Sequence, residues 1–235
     1  MRATATEVKN NLGRYLKFIE YEDVIISSHG NDIAVLCKYV DDTMKAEEEA
    51  AVYKTGKWVS YEEFLVLTEN SDERYELIDG QIYVMDSPLF PHQNALLNIV
   101  GEMREWFKGK KCLPVVAPYD VTLIKNTNNI CVVQPDILII CDKENINQKG
   151  KYKGVPTLVV EILSKSSRSK DKVLKLNLYM ETGVKECWLV DTDRHKVEVF
   201  YFENKQLAAD KSYTEGLVKS ELFEGLDLNL SDIFI

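Results

Sequence analysis

Three acids stand where apolar segments of this chain suddenly present a charge. Asp136 opens DILIIC in the phrase Gln134-Pro135-Asp136, and Glu161 closes the apolar run TLVV. Glu76 lies in Tyr75-Glu76-Leu77, just ahead of an Asp79-Gly80 turn. A carboxylate at the end of a buried strand costs free energy unless it is paired or binds a cation. Two such acids on neighbouring strands would bring hard oxygen donors close together, a set that suits Mg²⁺ or Mn²⁺. Such a cation activates water and stabilises charge on a phosphate during its transfer. The expected ligands are Asp136 and Glu161, with Glu76 assisting directly or through water.

A cationic partner is expected from the helix that follows Glu161. Asp171, Lys175 and Tyr179 repeat at i, i+4 and i+8 and so share one helical face. The Lys175 ammonium would position the attacking water or neutralise phosphoryl oxygens. Lys172, on an adjacent face, is the reserve candidate, and Asp171 would orient Lys175. Each residue also has a plainer reading. Asp136 and Glu161 could be strand-end acids satisfied by backbone N–H groups or by Lys and Arg, and Glu76 could bond across its hairpin. Lys175 could be a solvated partner of Asp171, and Tyr179 reads as packing at the helix end. His92 could be a general base, but its place before QNALLNIV suits a helix start better. His29 and His195 fall in turns and read as solvated, Trp188 reads as core, and Glu47-Glu48-Glu49 reads as a solvated helix face.

These side chains need elements to hold them. Residues 1–40 read as a small α+β unit. Thr4 or Thr6 caps a helix carrying Val8, Leu12, Tyr15, Leu16 and Ile19, and VIIS and IAVLC form a hairpin around His29-Gly30-Asn31-Asp32. Such a unit has little apolar surface to bury alone and would need a partner. Residues 41–57 read as a charged helix or linker, and the main domain spans 58–235. There Ser60 and Glu63 form a capping box, YELIDGQIYVM forms a hairpin, and HQNALLNIVGEMREWF forms an amphipathic helix. LPVVAPYDVTLI, DILIIC and TLVVEIL read as central strands. A helix over about Ser169 to Thr182 ends at Gly183, followed by strands ECWLVD and KVEVFYF. The order implies an α/β domain with a mixed β-sheet flanked by helices.

The chain has 235 residues, 45% of them hydrophobic and 29% charged, which is ordinary for a folded soluble domain. No run reaches the roughly 18 to 20 apolar residues of a membrane helix, and the polar start shows no signal peptide. The five cysteines form no C-x-x-C pair, so reduced, buried thiols, no structural zinc and a cytoplasmic location are expected. The net charge of −9 argues against a protein that coats nucleic acid. It leaves room for carboxylates that hold a cation.

Taken in order, YELIDGQI, QPDILI, PTLVVEILSKSS, DKVLKLNLY and TGVKECWLVD make residues 58–235 resemble the Uma-type family of endonucleases. The resemblance implies a restriction-endonuclease-like fold, a divalent metal and phosphodiester hydrolysis. Pro135-Asp136 and Glu161-Ile-Leu-Ser164 also resemble the Pro-Asp…(Asp/Glu)-x-Lys signature of the wider class, except that Leu163 stands in place of its lysine. The Uma-type pattern places a lysine on the next helix, where this chain has Lys175. Residues 1–40 resemble the N-terminal part of Phd/YefM antitoxins through ATEVKNNL and VIISSHGNDIAVL, which implies dimerisation and operator binding. The turn Ser28-His29-Gly30-Asn31 lacks that family's basic residues.

The expectation is therefore a Mg²⁺- or Mn²⁺-dependent endonuclease acting on DNA, a homodimer through residues 1–40. The alternative is an antitoxin-like regulatory protein with weak or no catalysis, binding DNA or a protein partner. Hydrolysis of a small phosphate ester is a third class.

Overall fold

The computed structural model describes residues 2–19, 23–28, 31–37, 58–69, 71, 73–85, 87–163 and 170–234. The chain divides into two units, Met1–Ala50 with Lys165–Leu176, and Ala51–Ser164 with Asn177–Ile235. The linker read at 41–57, with its three glutamates, lies outside the described residues, as do His29, Gly30 and Ser164.

The first unit holds β1 (Arg2–Thr4), α1 (Ala5–Asn10), α2 (Leu12–Phe18), β2 (Val24–Ser28) and β3 (Asn31–Leu36). Thr4 is the cap of α1: its hydroxyl accepts from Glu7 N at 3.2 Å, and Glu7 Oε2 accepts from Thr4 N at 2.7 Å. The single helix expected here is two, broken at Asn11 (φ −130°, ψ 33°). The Asn11 side chain donates to the Glu7 carbonyl at 3.2 Å, a local bond that competes with helix continuation. β2 and β3 pair antiparallel, as the hairpin reading requires. β1 adds to β2 in parallel, and three residues are too few to show a period in advance.

The second unit begins with α3 (Tyr61–Thr68), capped by Ser60 and Glu63 in the expected box. The hairpin β4 (Tyr75–Ile78) and β5 (Gln81–Val84) turns through Asp79 and Gly80 at φ +48° and +70°, the left-handed pair of a type I′ turn. A Cβ on Gly80 would overlap the Trp58 ring, so both conformation and space demand glycine. The chain continues through α4 (Phe90–Phe107), β6 (Leu113–Val116), β7 (Val121–Asn126), β8 (Asn129–Val133), β9 (Ile137–Ile140) and β10 (Leu158–Leu163). It ends with α5 (Lys170–Thr182), β11 (Glu186–Asp191), β12 (Lys196–Glu203), β13 (Gln206–Tyr213), β14 (Leu217–Lys219), β15 (Asp227–Asn229) and α6 (Leu230–Ile233). Gly183 follows α5 at φ +102°, the C-terminal glycine expected.

A six-stranded sheet runs β13-β12-β11-β10-β9-β6, parallel only between β10 and β11, and a four-stranded antiparallel sheet runs β5-β4-β8-β7. Helix α4 packs Ala95, Ile99, Met103 and Phe107, one per turn, into a single core with Ile137, Ile139, Leu158, Val160, Ile162, Trp188 and Val190. The period of two in β10 turns Val159, Glu161 and Leu163 to the opposite face. Among the described residues no helix is long and apolar enough to cross a membrane.

Two further expectations fail here. LPVVAPYDVTLI is not one central strand: it breaks at Ala117–Asp120, so β6 edges the large sheet and β7 edges the small one. Pro118 brings no N–H for a ladder and ends the run. The cysteines are not uniformly reduced and buried. Cys112 and Cys141 form a disulfide, and Cys37 is exposed, while Cys131 and Cys187 are buried thiols. The β6–β9 register pairs Leu113 with Ile140, which sets Cys112 opposite Cys141, a relation that spacing along the chain does not reveal.

Candidate active site

Strand register brings the first two acids together. β9 and β10 pair Ile137 with Val160, so Asp136, just before β9, and Glu161, next after Val160, flank the last pair of that ladder. Asp136 Oδ2 accepts from Ile162 N at 2.7 Å and lies 3.3 Å from His92 Nε2. Its Oδ1 makes no hydrogen bond among the described residues. His92 sits in the first turn of α4, so the helix-start reading holds, yet its ring also meets Asp136. Its Nδ1 is buried without a hydrogen-bond partner among the described residues.

Glu161 is buried at the outer face of β10, where its Oε1 accepts the hydroxyl of Tyr179 on α5. Tyr179 is fully buried, and burial pushes its hydroxyl well above the usual tyrosine range. The negative charges of Glu161 and then Glu76 push it further, so all three groups share one buried region. Tyr179 therefore stays protonated and serves as a donor. The packing reading of this tyrosine is incomplete: the side chain is buried, and it also bonds an acid of the site.

Glu76 is buried on β4, and its Oε1 accepts from Gln134 N at 2.8 Å. β4 joins β8 at Leu77–Val132, and β8 leads through Gln134-Pro135 directly to Asp136. This short segment thus ties the small sheet to the large one. The N–H of Gln134 holds Glu76, and the carbonyl of Asp136 accepts from Ala117 N at 3.1 Å. The Gln134 side chain donates to Asp120 Oδ1 at 2.9 Å. Gln134 and Asp120 are the residues that sequence reasoning missed; the only signal was the polar Gln134 between an apolar strand and Asp136.

The remaining candidates fall elsewhere. Lys175 is buried on α5, one helical turn before Tyr179. It falls in the part of that helix grouped with the first unit. The side chains of Asp171 and Lys172 lie outside the described residues. His195 is exposed in its turn and stacks on Phe234 at 5.0 Å. Trp188 is core, its Nε1 donating to Glu186 Oε1 at 2.6 Å.

Among the described residues no three or more His, Cys, Asp or Glu side chains are grouped as a ready-made metal cage. Mg²⁺ does not require one, since it takes one or two carboxylates and completes its shell with waters and substrate phosphate. Asp136 and Glu161 fit that donor chemistry: both supply hard oxygen donors, and the Asp136 carboxylate bonds the N–H of Ile162, next to Glu161.

The family profile described as "Putative restriction endonuclease", Uma2, matches residues 61–231. The chain belongs to the Uma2 family. A solved structure similar to it, titled as a putative nuclease belonging to DUF820 from Anabaena variabilis ATCC 29413, superposes with a TM-score of 0.61 at 22% identity. That likeness covers 75% of this chain and 97% of the other and shows a shared fold. The uncharacterized protein slr1290 of Synechocystis sp. (strain ATCC 27184 / PCC 6803 / Kazusa) is 26% identical over 132 residues, 56% of this chain and 67% of that protein. The Uma2 match leaves residues 1–60 outside it. At the general level, then, the second unit is a nuclease-family domain with a restriction-endonuclease-like fold.

Proposed function

We propose that this Uma2 protein is an endonuclease that hydrolyses phosphodiester bonds of DNA with Mg²⁺ or Mn²⁺. The observation that carries the proposal is the bond from the N–H of Ile162, next after Glu161, to the Asp136 carboxylate, with Glu76 in the same buried region as Glu161. Asp136 and Glu161 would hold the cation, and Glu76 would assist directly or through water. When bound, the cation supplies Lewis acidity toward the phosphate and a water of lowered pKa. The chain's own groups do the positioning. Tyr179 holds one oxygen of Glu161, the Ile162 N–H and His92 hold one oxygen of Asp136, and the Gln134 N–H holds Glu76. Fixing one oxygen of each carboxylate sets the direction of the other, which limits reorganisation when substrate arrives. Lys175, one turn from Tyr179, would serve the attacking water or a phosphoryl oxygen.

The test is cleavage of plasmid and linear duplex DNA with each cation. Wild type should cut, and Asp136→Asn and Glu161→Gln should fall by at least about a hundredfold, a loss expected when electrostatic stabilisation at a phosphate is removed. Retained cleavage in a folded Asp136→Asn protein would overturn the assignment.

A second reading concerns residues 1–40 as an antitoxin-like dimerisation unit. α2 exposes Leu12 and Leu16 one turn apart, and β3 exposes Ile33 and Val35 on one face. Four large apolar side chains exposed on so small a unit suit a second copy of the chain. Light scattering at working concentration should give a dimer, and Leu16→Glu with Val35→Glu should give a monomer. A monomeric wild type would remove this reading.

A further inference from the structure

Beside the acids, Pro118, Tyr119, Asp120, Gln134, Gly150 and Lys151 line a cleft of about 290 Å³. Gln134 joins the cleft to the site. Its N–H holds Glu76, and it precedes Asp136 by two residues, a chain span of at most about 7 Å. The volume sits at the small end of ligand sites, which run from about 300 Å³ upward. It admits one mononucleotide-sized group and no duplex.

The wall has a defined chemistry. Asp120 Oδ1 accepts from Gln134 Nε2, and Asp120 Oδ2 makes no hydrogen bond among the described residues. Gln134 is more than nine-tenths buried, and its Oε1 has no hydrogen-bond partner among the described residues. An amide oxygen in that state is destabilising until a donor reaches it. The exposed Asp120 carboxylate and the buried Gln134 amide oxygen are therefore neighbouring acceptors, and the second awaits a donor. Tyr119 contributes an aromatic ring, steadied by its hydroxyl bond to the Gly150 carbonyl at 2.6 Å. Lys151 contributes an exposed ammonium.

We propose that this cleft is a subsite for one unpaired nucleotide flanking the phosphate to be cut, selecting bases that carry an exocyclic amino group. The proposal rests on the nuclease reading above and names the substrate feature that the site would read. An aromatic ring for stacking, acceptors for an amino group and a cation for phosphate match the three parts of a nucleotide. Thymine has no amino group, and its single imide N–H lies between two carbonyl oxygens that would meet the same acceptors, so it is disfavoured. A base enters only when unpaired, so the substrate is a single strand or a duplex from which one base is extruded.

Equilibrium titration of dAMP, dCMP, dGMP and dTMP into the full chain, with no divalent cation present, tests this. At least one amino-bearing nucleotide should bind roughly tenfold more tightly than dTMP, the scale of a good base-edge contact. Asp120→Asn keeps an oxygen for the Gln134 amide and turns the other acceptor into a donor, so it should erase the preference while the fold persists. Tyr119→Leu should weaken all four nucleotides alike. Equal binding of dTMP, an unchanged preference in Asp120→Asn, or no binding at all would overturn the subsite. Loss of the nuclease reading shows separately: no DNA is cut although the preference persists. DNA cut with no mononucleotide preference removes the subsite alone.

Discussion

Tyr179, from α5, donates its hydroxyl to Glu161 of β10 where both side chains are buried. The bond gives a strand-interior carboxylate one fixed donor. Without such a partner, a buried charge of this kind is costly enough to be expelled or neutralised. The same hydroxyl feels the charge of Glu76, so a single tyrosine reports on two acids of the proposed site.

The tyrosine makes the first prediction. Tyr179→Phe removes a donor from a buried carboxylate and should cost about 1–3 kcal/mol at neutral pH by chemical denaturation. The folded hydroxyl titrates above its unfolded value, so its contribution to stability is complete below about pH 10 and is lost as pH rises beyond it. Wild type should therefore lose stability on going from pH 9 to about pH 11 faster than Tyr179→Phe. Parallel curves would mean that the hydroxyl is not held as described.

Glu186 makes a second pH prediction, of the same sign and at the acid end. Burial raises its carboxyl above the usual range, opposed by bonds from Trp188, Ser220 and the N–H groups of Leu222 and Glu221. A raised folded value means stability is fully present below the unfolded pKa and falls as pH rises through the folded one. Between about pH 4 and pH 7, wild type should lose stability relative to Glu186→Gln, at no more than about 1.4 kcal/mol per pH unit. Equal slopes for the two proteins would contradict a desolvated carboxylate there.

The disulfide makes a third. Cys112 and Cys141 are 29 residues apart in sequence, and closing a loop of that order stabilises by about 2–4 kcal/mol. A reductant should lower the denaturation midpoint of wild type and leave Cys112→Ser unchanged. A wild type indifferent to reductant would show that the bond adds nothing to stability.

Much of the frame was legible because its signals are local. Asp79-Gly80 between alternating runs specified the hairpin, Ser60 with Glu63 specified a helix start, and Gly183 specified a helix end. The bond that ties Asp136 to the residue after Glu161 was legible only as two strand-end acids, because register is a property of the pair of strands and not of either one. The contacts of Tyr179, Gln134 and Asp120 were not legible. Helical spacing names the residues on a face but not what that face meets, and Gln134 holds Glu76 through its backbone N–H, which every residue except proline carries. The break at Ala117–Asp120 shows the opposite failure, where an apolar run hid a change of sheet.

The most direct test is isothermal titration of Mn²⁺ into the full chain bound to a non-cleavable DNA duplex, for wild type, Asp136→Ala and Glu161→Ala. Wild type should bind the cation, and both variants, shown folded by circular dichroism, should lose that binding. Mn²⁺ binding unchanged in both folded variants would contradict a cation held between β9 and β10.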